Sequence, residues 1–285
     1  MNFFKQTDYL NAVIMRRIFL LYLFFLKGLI FINPMDLWAQ SNPSKTVKKI
    51  QSEVCWNYPI QNNLPTKEGY RSIKTEFNSL GKKIKMTAYQ AEGSVAYEYF
   101  FEYKERSRES YWLMPTGEKI KSEIENYNQD GAILSRIRFN TDGSLLDKQT
   151  FDYEKGRKVK EVYWDNKGQK IYGIEYSYQE GQNAIREIYT NYLTQEQTIG
   201  AIELGGHALP TSYREYKSSG PIVRSIIYKR DEQGRILSKK TYSPNNHLEE
   251  KEIYEYKEGE TICSVYIDGG KKMVEQVVYR YTYHK

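Results

Sequence analysis

Residues 133–156 read ILSRIRFNTDGSLLDKQTFDYEKG, which is two strand-like runs joined by a tight turn. Side chains along a strand point alternately to opposite faces, so Ile137 and Phe139 share one face and the intervening arginine lies on the other. The pair Asp142-Gly143 favours a hairpin turn whose positive backbone angles match the twist of the flanking strands. The stretch therefore predicts an antiparallel β-hairpin with one face in water.

Turns of the same kind return along most of the chain. If one turn without a glycine is placed near Glu105 and another near Thr194, the turns are about 12 to 13 residues apart, the spacing expected of short strands joined by tight connections. The turn residues are Gly81, Gly93, Gly117, Gly131, Gly143, Gly156, Gly168, Gly181, Gly206, Gly220, Gly234, Asn246, Gly259 and Gly270. We therefore predict an all-β fold: a long antiparallel β-meander of about 17 short strands in hairpin repeats of about 25 residues, forming an open single-layer or curled sheet.

Tyrosine is the residue that stands out in the composition. The chain contains 27 tyrosines against 11 phenylalanines and 4 tryptophans, while its hydrophobic content is 40%. A tyrosine ring covers apolar surface while its hydroxyl stays in water, which suits a sheet too thin for a thick core. Tyrosines at alternate positions of two strand-like runs form a candidate aromatic binding face: Tyr172, Tyr176, Tyr178, Tyr279, Tyr281 and Tyr283.

The first 40 residues have the pattern of a signal peptide. Met15 precedes two arginines and is the predicted true start, the apolar run Ile18–Ile32 follows, and Ala39 offers a small residue for cleavage. A transmembrane anchor is the alternative, but the run is shorter than the roughly 20 apolar residues that span a bilayer. We therefore predict export, with the membrane contacted only through the signal peptide and the final compartment periplasmic, surface or extracellular.

The remaining chain divides into a lead-in, residues 41–69, and a β-repeat domain, residues 70–285. The lead-in contains a run near Val47 that begins either a short helix or an edge strand. The aromatic segment Cys55–Pro59 either covers the first edge of the sheet or lies irregularly on the surface.

The charge balance argues against a nucleic-acid partner. The chain has 42 basic and 36 acidic residues, of which four and two lie in the first 40 positions, and the two signs are interleaved elsewhere. Interleaved charges are typical of a solvated surface and not of a basic stripe that binds phosphates.

Candidate catalytic and metal-binding residues are sparse. The histidines His207, His247 and His284 lack a second histidine or a cysteine at metal-ligand spacing, so we predict no metal and no cofactor. A cross-strand pair such as Glu123 and Glu175 would resemble a glycosidase dyad, but carboxylates paired with lysines on a wet sheet face are the simpler interpretation. We therefore predict that the protein is not an enzyme.

The repeat pattern is interrupted between Leu193 and Pro210, where the regularly spaced aromatic residues are absent. Loops that interrupt a rigid scaffold often carry contacts, so Gly205, Gly206 and His207 form a candidate contact loop. A drifted repeat with a longer connection is the alternative.

Cys55 and Cys263 are the only cysteines. Export would place them in an oxidising compartment, where an even count suggests a disulfide. About 17 strands laid flat would span roughly 80 Å, whereas a disulfide requires α-carbons within about 7 Å. A bond therefore requires the lead-in to cross the sheet or the sheet to curl towards closure. Otherwise both cysteines are free.

Several turns resemble known repeat families. The segment Tyr228–Ile236, with Asp231, Gly234 and Arg235, resembles a degenerate YD (RHS-type) repeat, and the turns at residues 127–131 and 163–168 are similar to MORN-like repeats of bacterial secreted proteins. Large members of the YD family wind strands into a shell around a toxin. This chain is too short for such a shell, so the resemblance implies only a secreted β-repeat scaffold.

Three functional hypotheses follow from the sequence. The first is a secreted or cell-envelope scaffold that binds a protein or glycan through its tyrosine-rich face, since rigid aromatic side chains make good contacts at low entropy cost. The second is an outer-membrane β-barrel, which requires a continuous apolar strand face. The third is a hydrolase of envelope polysaccharides, and the only sequence feature in its favour is the scattered carboxylates.

Overall fold

The computed structural model describes residues 49–114, 116–179 and 183–284, with only the backbone of His207. The predicted signal peptide, residues 1–40, and the predicted start at Met15 lie outside the described residues. Within the described ranges, no helix is long and apolar enough to cross a membrane.

Strands make up almost all of the described chain. They are β1 Ile50–Tyr58, β2 Ile60–Gln61, β3 Leu64–Pro65, β4 Tyr70–Phe77, β5 Lys83–Tyr89, β6 Val95–Tyr103, β7 Ser107–Leu113, β8 Lys119–Tyr127, β9 Ile133–Phe139, β10 Leu145–Glu154, β11 Arg157–Asp165, β12 Lys170–Tyr178, β13 Ala184–Asn191, β14 Gln197–Leu204, β15 Pro210–Lys217, β16 Ile222–Arg230, β17 Ile236–Tyr242, β18 Leu248–Lys257, β19 Glu260–Ile267 and β20 Lys272–Tyr283. A single 3₁₀ turn, Gly206–Ala208, joins β14 to β15 in this part of the chain.

These strands form a closed antiparallel barrel of 18 strands, and β2 and β3 form a separate short hairpin. From β4 to β20 each strand pairs with the next along the chain, and β1 pairs with both β20 and β4. The predicted open or curled sheet is therefore wrong. A sheet of this many strands accumulates twist, and closure removes the two unpaired edges that an open sheet would expose.

Strand direction explains why β1 is the strand that closes the barrel. The meander from β4 to β20 has an odd number of strands, so β4 and β20 run in the same direction. Strand β1 lies between them and is antiparallel to both, with Cys55 opposite Tyr279 on one side and Ile73 on the other. Part of the segment predicted as a lead-in is thus a strand of the barrel wall.

The hairpin turns follow the chemistry of their asparagine and aspartate residues. In the turn after β11 the Asp165 carboxylate accepts hydrogen bonds from the backbone N–H groups of Lys167 and Gln169, at 2.9 and 2.8 Å. Gly168 closes this turn with a φ of 79°, a conformation that favours glycine. In the Asp142-Gly143 turn only the glycine has a positive φ.

The two faces of the wall differ in packing. On β12, Tyr172, Ile174 and Tyr176 are buried, and the Glu175 side chain between them is 60% exposed. We call the face that carries Tyr172 and Tyr176 the inner wall, because the concave side of a closed barrel is the crowded one.

The outer face carries charged side chains near the middle of strands around the whole circumference. Lys160 pairs with Glu175 at 2.8 Å, and Lys85 pairs with Glu98 at 2.5 Å. Other charged residues of this face are Lys74, Lys148, Arg186, Arg214, Lys229, Lys240 and Lys251. The outer face therefore lacks a continuous apolar band within the described residues.

Candidate functional site on the inner wall

The predicted aromatic face lies on two walls of the barrel. Tyr172, Tyr176 and Tyr178 belong to β12, and the tyrosines at 279, 281 and 283 belong to β20. These strands are eight positions apart in a ring of 18, so the two sets stand on nearly opposite walls. The alternation in the sequence predicts that each set shares one face of its strand, which the structure shows. It does not predict the closure that turns both sets inward.

The candidate contact loop is the 3₁₀ turn between β14 and β15. Gly205 precedes this turn, which includes Gly206 and the backbone of His207. The loop lies at the rim where β12, β14 and β20 end, away from the middle of the inner wall. Whether it binds a partner stays a prediction.

Cys55 and Cys263 are both free. They lie on β1 and β19, with β20 between them, so closure brings them two strands apart. Two strand spacings are about 10 Å, beyond the roughly 7 Å that a disulfide allows between α-carbons.

The carboxylates suggested as a possible dyad are not brought together. Glu123 pairs with Arg108 on the inner wall, whereas Glu175 pairs with Lys160 on the outer face. They cannot act on one substrate, because the barrel wall separates them.

Tyrosine rings line the inner wall across β11, β12 and β13. Tyr163 stacks on Tyr172 with ring centroids 3.9 Å apart, and Tyr172 stacks on Tyr189 at 5.3 Å. Burial, followed by the charge of Glu161, raises the pKa of Tyr163 to about 12. These rings supply stacking surface with neutral hydroxyls at physiological pH.

Next to these rings, five residues stand in direct cross-strand register on β12 to β16. Tyr176 lies opposite Glu187, Glu187 opposite Gly200, Gly200 opposite Glu215, and Glu215 opposite Arg224. We call this set the carboxylate row. Because directly opposed side chains lie about 5 Å apart, the row forms one continuous strip of the inner wall.

The two glutamates of the row differ in their partners. Arg224 Nε donates to Glu215 at 2.7 Å, but Glu187 has no hydrogen bond or ion pair with any described residue. Burial raises the pKa of Glu187 to about 7, with Lys158 opposing the rise and Glu161 and Glu215 adding to it. Glu187 is therefore poised to change charge near neutral pH.

Gly200 makes room for this arrangement. A Cβ atom at position 200 would lie 2.9 Å from Glu187 Oε2 and 2.9 Å from Tyr213 Cε2. The glutamate and the tyrosine ring therefore occupy the space that a side chain would fill on β14. Glycine at position 200 is therefore required by the packing of the row, whereas most other glycines of the chain lie in turns.

Glu161 lies beside the row on β11 and is only 2% exposed. Lys158 Nζ donates to its Oε2 at 2.7 Å, whereas Oε1 has no hydrogen-bond donor. A buried acceptor without a donor costs free energy, and such a group in a native structure calls for an explanation.

A second charged cluster covers the inner wall from β7 to β10. Glu125 forms ion pairs with Arg108 at 2.9 Å and with Arg136 at 2.7 Å. Arg138 forms a bidentate ion pair with Asp147. Burial raises the pKa of Glu125, but the two arginines outweigh it and hold the pKa below its usual value. The charges of this cluster are paired with one another, although Arg108 Nε is a buried donor without an acceptor. The cluster is best explained as support for the wall.

The carboxylate row was not predicted from the sequence. A signal was present, because Glu187 stands at the alternate position between Ile185 and Tyr189 on an otherwise apolar face. The register that aligns it with Glu215 cannot be read from one sequence. Among the residues that the structure describes, no three His, Cys, Asp or Glu side chains form a group that could hold a metal ion.

Comparisons with known proteins give no family. No family model matches the chain, and no curated protein matches it. A porin-like protein from Bacteroides uniformis is similar in structure with a TM-score of 0.46 and 11% identity, covering 82% of this chain and 98% of that chain. A LolA superfamily protein from Nitrosomonas europaea is similar with a TM-score of 0.23 and 10% identity, covering 87% and 91%. At these scores neither neighbour informs the function of this chain.

Proposed function

We propose that this protein is an exported β-barrel of the cell envelope that binds a small polar ligand, such as a glycan, on its tyrosine-rich inner wall. The observation that carries the proposal is the contrast between the two faces. The inner wall presents stacked tyrosines and the carboxylate row, and the outer face presents exposed ion pairs such as Lys160 with Glu175. Such a barrel is wetted on both sides, and its concave side offers the contact residues.

The proposed function includes no catalytic step. Within the described residues Glu125, Glu161 and Glu215 of the inner wall are paired with arginine or lysine. Four other inner-wall carboxylates have no ion pair there: Glu53, Glu187, Glu250 and Glu275. Export is proposed from the signal-peptide pattern of residues 1–40. The proposed partner is a glycan or a protein, as expected from the aromatic face.

An outer-membrane barrel is the second candidate, and closure favours it over an open scaffold. An even number of antiparallel strands and a polar inner wall are features of membrane barrels. The mid-strand charges of the outer face weigh against it, because a lysine at the bilayer midplane costs about 2 to 4 kcal/mol.

One purification separates the two candidates. Residues 41–285 are refolded without detergent, and size-exclusion chromatography with light scattering measures the particle, followed by conductance in planar bilayers. We expect a monodisperse monomer without channel activity. A chain that needs detergent and conducts ions would overturn the water-exposed barrel in favour of the membrane candidate.

Ligand binding is tested by calorimetry with envelope oligosaccharides against matched tyrosine variants. Tyr189→Ala removes a stacked inner ring, whereas Tyr242→Ala removes a ring of the outer face. We expect the inner variant to weaken binding at least tenfold and the outer variant to leave it unchanged. Equal effects of the two variants would contradict an inner-wall site.

A further inference from the structure

The hydrogen-bond inventory of the carboxylate row is unbalanced. Within the described residues no hydrogen bond reaches the Glu187 carboxylate, and Glu161 Oε1 is a buried acceptor without a donor. Ionised carboxylates only accept hydrogen bonds. Glu187 and Glu161 Oε1 are therefore open acceptors of this strip, and a ligand that completes them brings N–H or O–H groups.

The charges of the same strip are unbalanced too. Lys158 is 2.7 Å from Glu161, and Arg224 is 2.7 Å from Glu215, so each of these carboxylates has its own cation. Glu187 has none. With Glu187 ionised, the strip carries one uncompensated negative charge, which a single positive charge on a ligand would neutralise.

The rings around Glu187 already hold cations on their faces. Lys158 Nζ lies 4.5 Å from the centroid of Tyr176, and the guanidinium of Arg224 lies 5.8 Å from that of Tyr213. Tyrosine faces attract ammonium and guanidinium groups through their quadrupole. Tyrosine faces beside Glu187 therefore accept cations in this structure, with Lys158 and Arg224 already on two of them.

We propose that the carboxylate row binds the ammonium group of a small organic amine at the Glu187 carboxylate, on the interior side of the barrel wall and beside Tyr176 and Tyr213. An ammonium group has three N–H donors, no acceptor and one positive charge, which is what the strip lacks. This inference rests on the proposed function and narrows its ligand to an amine-bearing molecule.

Protonation of Glu187 competes with such a ligand. The pKa of Glu187 is raised to about 7 by burial, and the charged or titratable groups that face it are Lys158, Glu161, Tyr176, Tyr178, Tyr213 and Glu215. Below pH 7 the carboxylate is increasingly neutral, so the affinity for an amine that stays charged decreases as the pH falls.

Isothermal titration calorimetry with cyclohexylamine and cyclohexanol tests the inference, because the two probes share a ring and differ in the ammonium group. We expect residues 41–285 to bind cyclohexylamine at least tenfold more tightly than cyclohexanol at pH 8. Glu187→Gln should abolish this preference. Glu203→Gln, which changes a carboxylate of the outer face, should keep it.

The wild-type protein supplies a test that needs no variant. Between pH 8 and pH 6 the affinity for cyclohexylamine should fall about tenfold, and that for cyclohexanol should stay constant. Equal affinities of the two probes, or a preference that survives Glu187→Gln, would overturn the ammonium site. If oligosaccharides still bind to the inner wall in that case, the proposed function stands, whereas loss of both would reject it as well.

Discussion

Cys55 on β1 and Cys263 on β19 lie on the same face of the barrel with one strand between them, because the N-terminal strand closes the sheet beside its last strand. In an open meander with β1 beside β4, the two positions would stand at opposite edges of the sheet. The barrel brings them close but not within bonding distance, so both thiols remain free.

The two thiols should be unreactive in the folded protein. Burial raises the pKa of Cys55, and burial followed by the charge of Glu252 raises that of Cys263 to about 12. The thiolate is the reactive form, so Ellman's reagent at pH 7.5 should titrate neither thiol until denaturant is added, when it should titrate both. A non-reducing gel should show no disulfide, and a bond between them would contradict the closure geometry.

Removal of β1 should open the barrel. A chain beginning at residue 59 lacks the strand that pairs with both β4 and β20, which leaves two parallel, unpaired edges. We expect a lower melting temperature and concentration-dependent association, measured by circular dichroism and light scattering. A chain beginning at residue 49 keeps β1 and is the control. A monomeric, equally stable truncated chain would show that β1 is dispensable.

Inner and outer ion pairs should differ in their contribution to stability. Glu125→Gln leaves Arg108 and Arg136 without their shared carboxylate in a buried cluster, and we expect a loss of about 3 kcal/mol or more. Glu175→Gln breaks the exposed pair with Lys160 and should change the free energy of unfolding by less than about 1 kcal/mol. Urea unfolding measures both, and similar losses would refute the assignment of the inner wall.

Gly200 should not tolerate a side chain. Gly200→Ala places a Cβ atom 2.9 Å from Glu187 Oε2 and from Tyr213, so we expect a destabilisation of about 1 to 3 kcal/mol. Gly206→Ala meets no atom within 4 Å and should stay within about 0.5 kcal/mol of the wild type. Thermal unfolding compares the two, and a neutral Gly200→Ala would mean that the row can rearrange.

Glu187 should make stability depend on pH. Its pKa in the folded state is raised from 4.5 to about 7, so the folded protein holds a proton that the unfolded chain releases. The contribution of Glu187 to stability therefore falls as the pH rises from about 4.5 to about 7, and above that its cost is constant. Allowing for screening by water, we expect the decrease to be about 1 to 2 kcal/mol.

The check compares urea unfolding of the wild type and Glu187→Gln at pH 5 and pH 8. The free energy of unfolding of Glu187→Gln should not show the decrease that Glu187 causes. The variant should therefore be more stable relative to the wild type at pH 8 than at pH 5. Glu203→Gln on the outer face serves as the control. Identical pH profiles for wild type and Glu187→Gln would rule out a raised pKa at this position.

The alternation of Tyr172, Ile174 and Tyr176, and the Asp165 to Gly168 turn, were readable from the sequence because they depend on neighbours in the chain. These local rules determine strands, turns and the face to which each side chain points, and they indicated an all-β meander. They also indicated that tyrosines share a face, although not that this face is concave.

Closure and the carboxylate row were decided only by the tertiary structure. Twist accumulated over many strands determines whether the ends meet, and here β1 had to enter between β20 and β4. Glu187 and Glu215 are brought into one row by the register of three strands, with Gly200 between them. Register over such distances depends on pairing energies summed around the whole ring, which no local stretch of sequence contains.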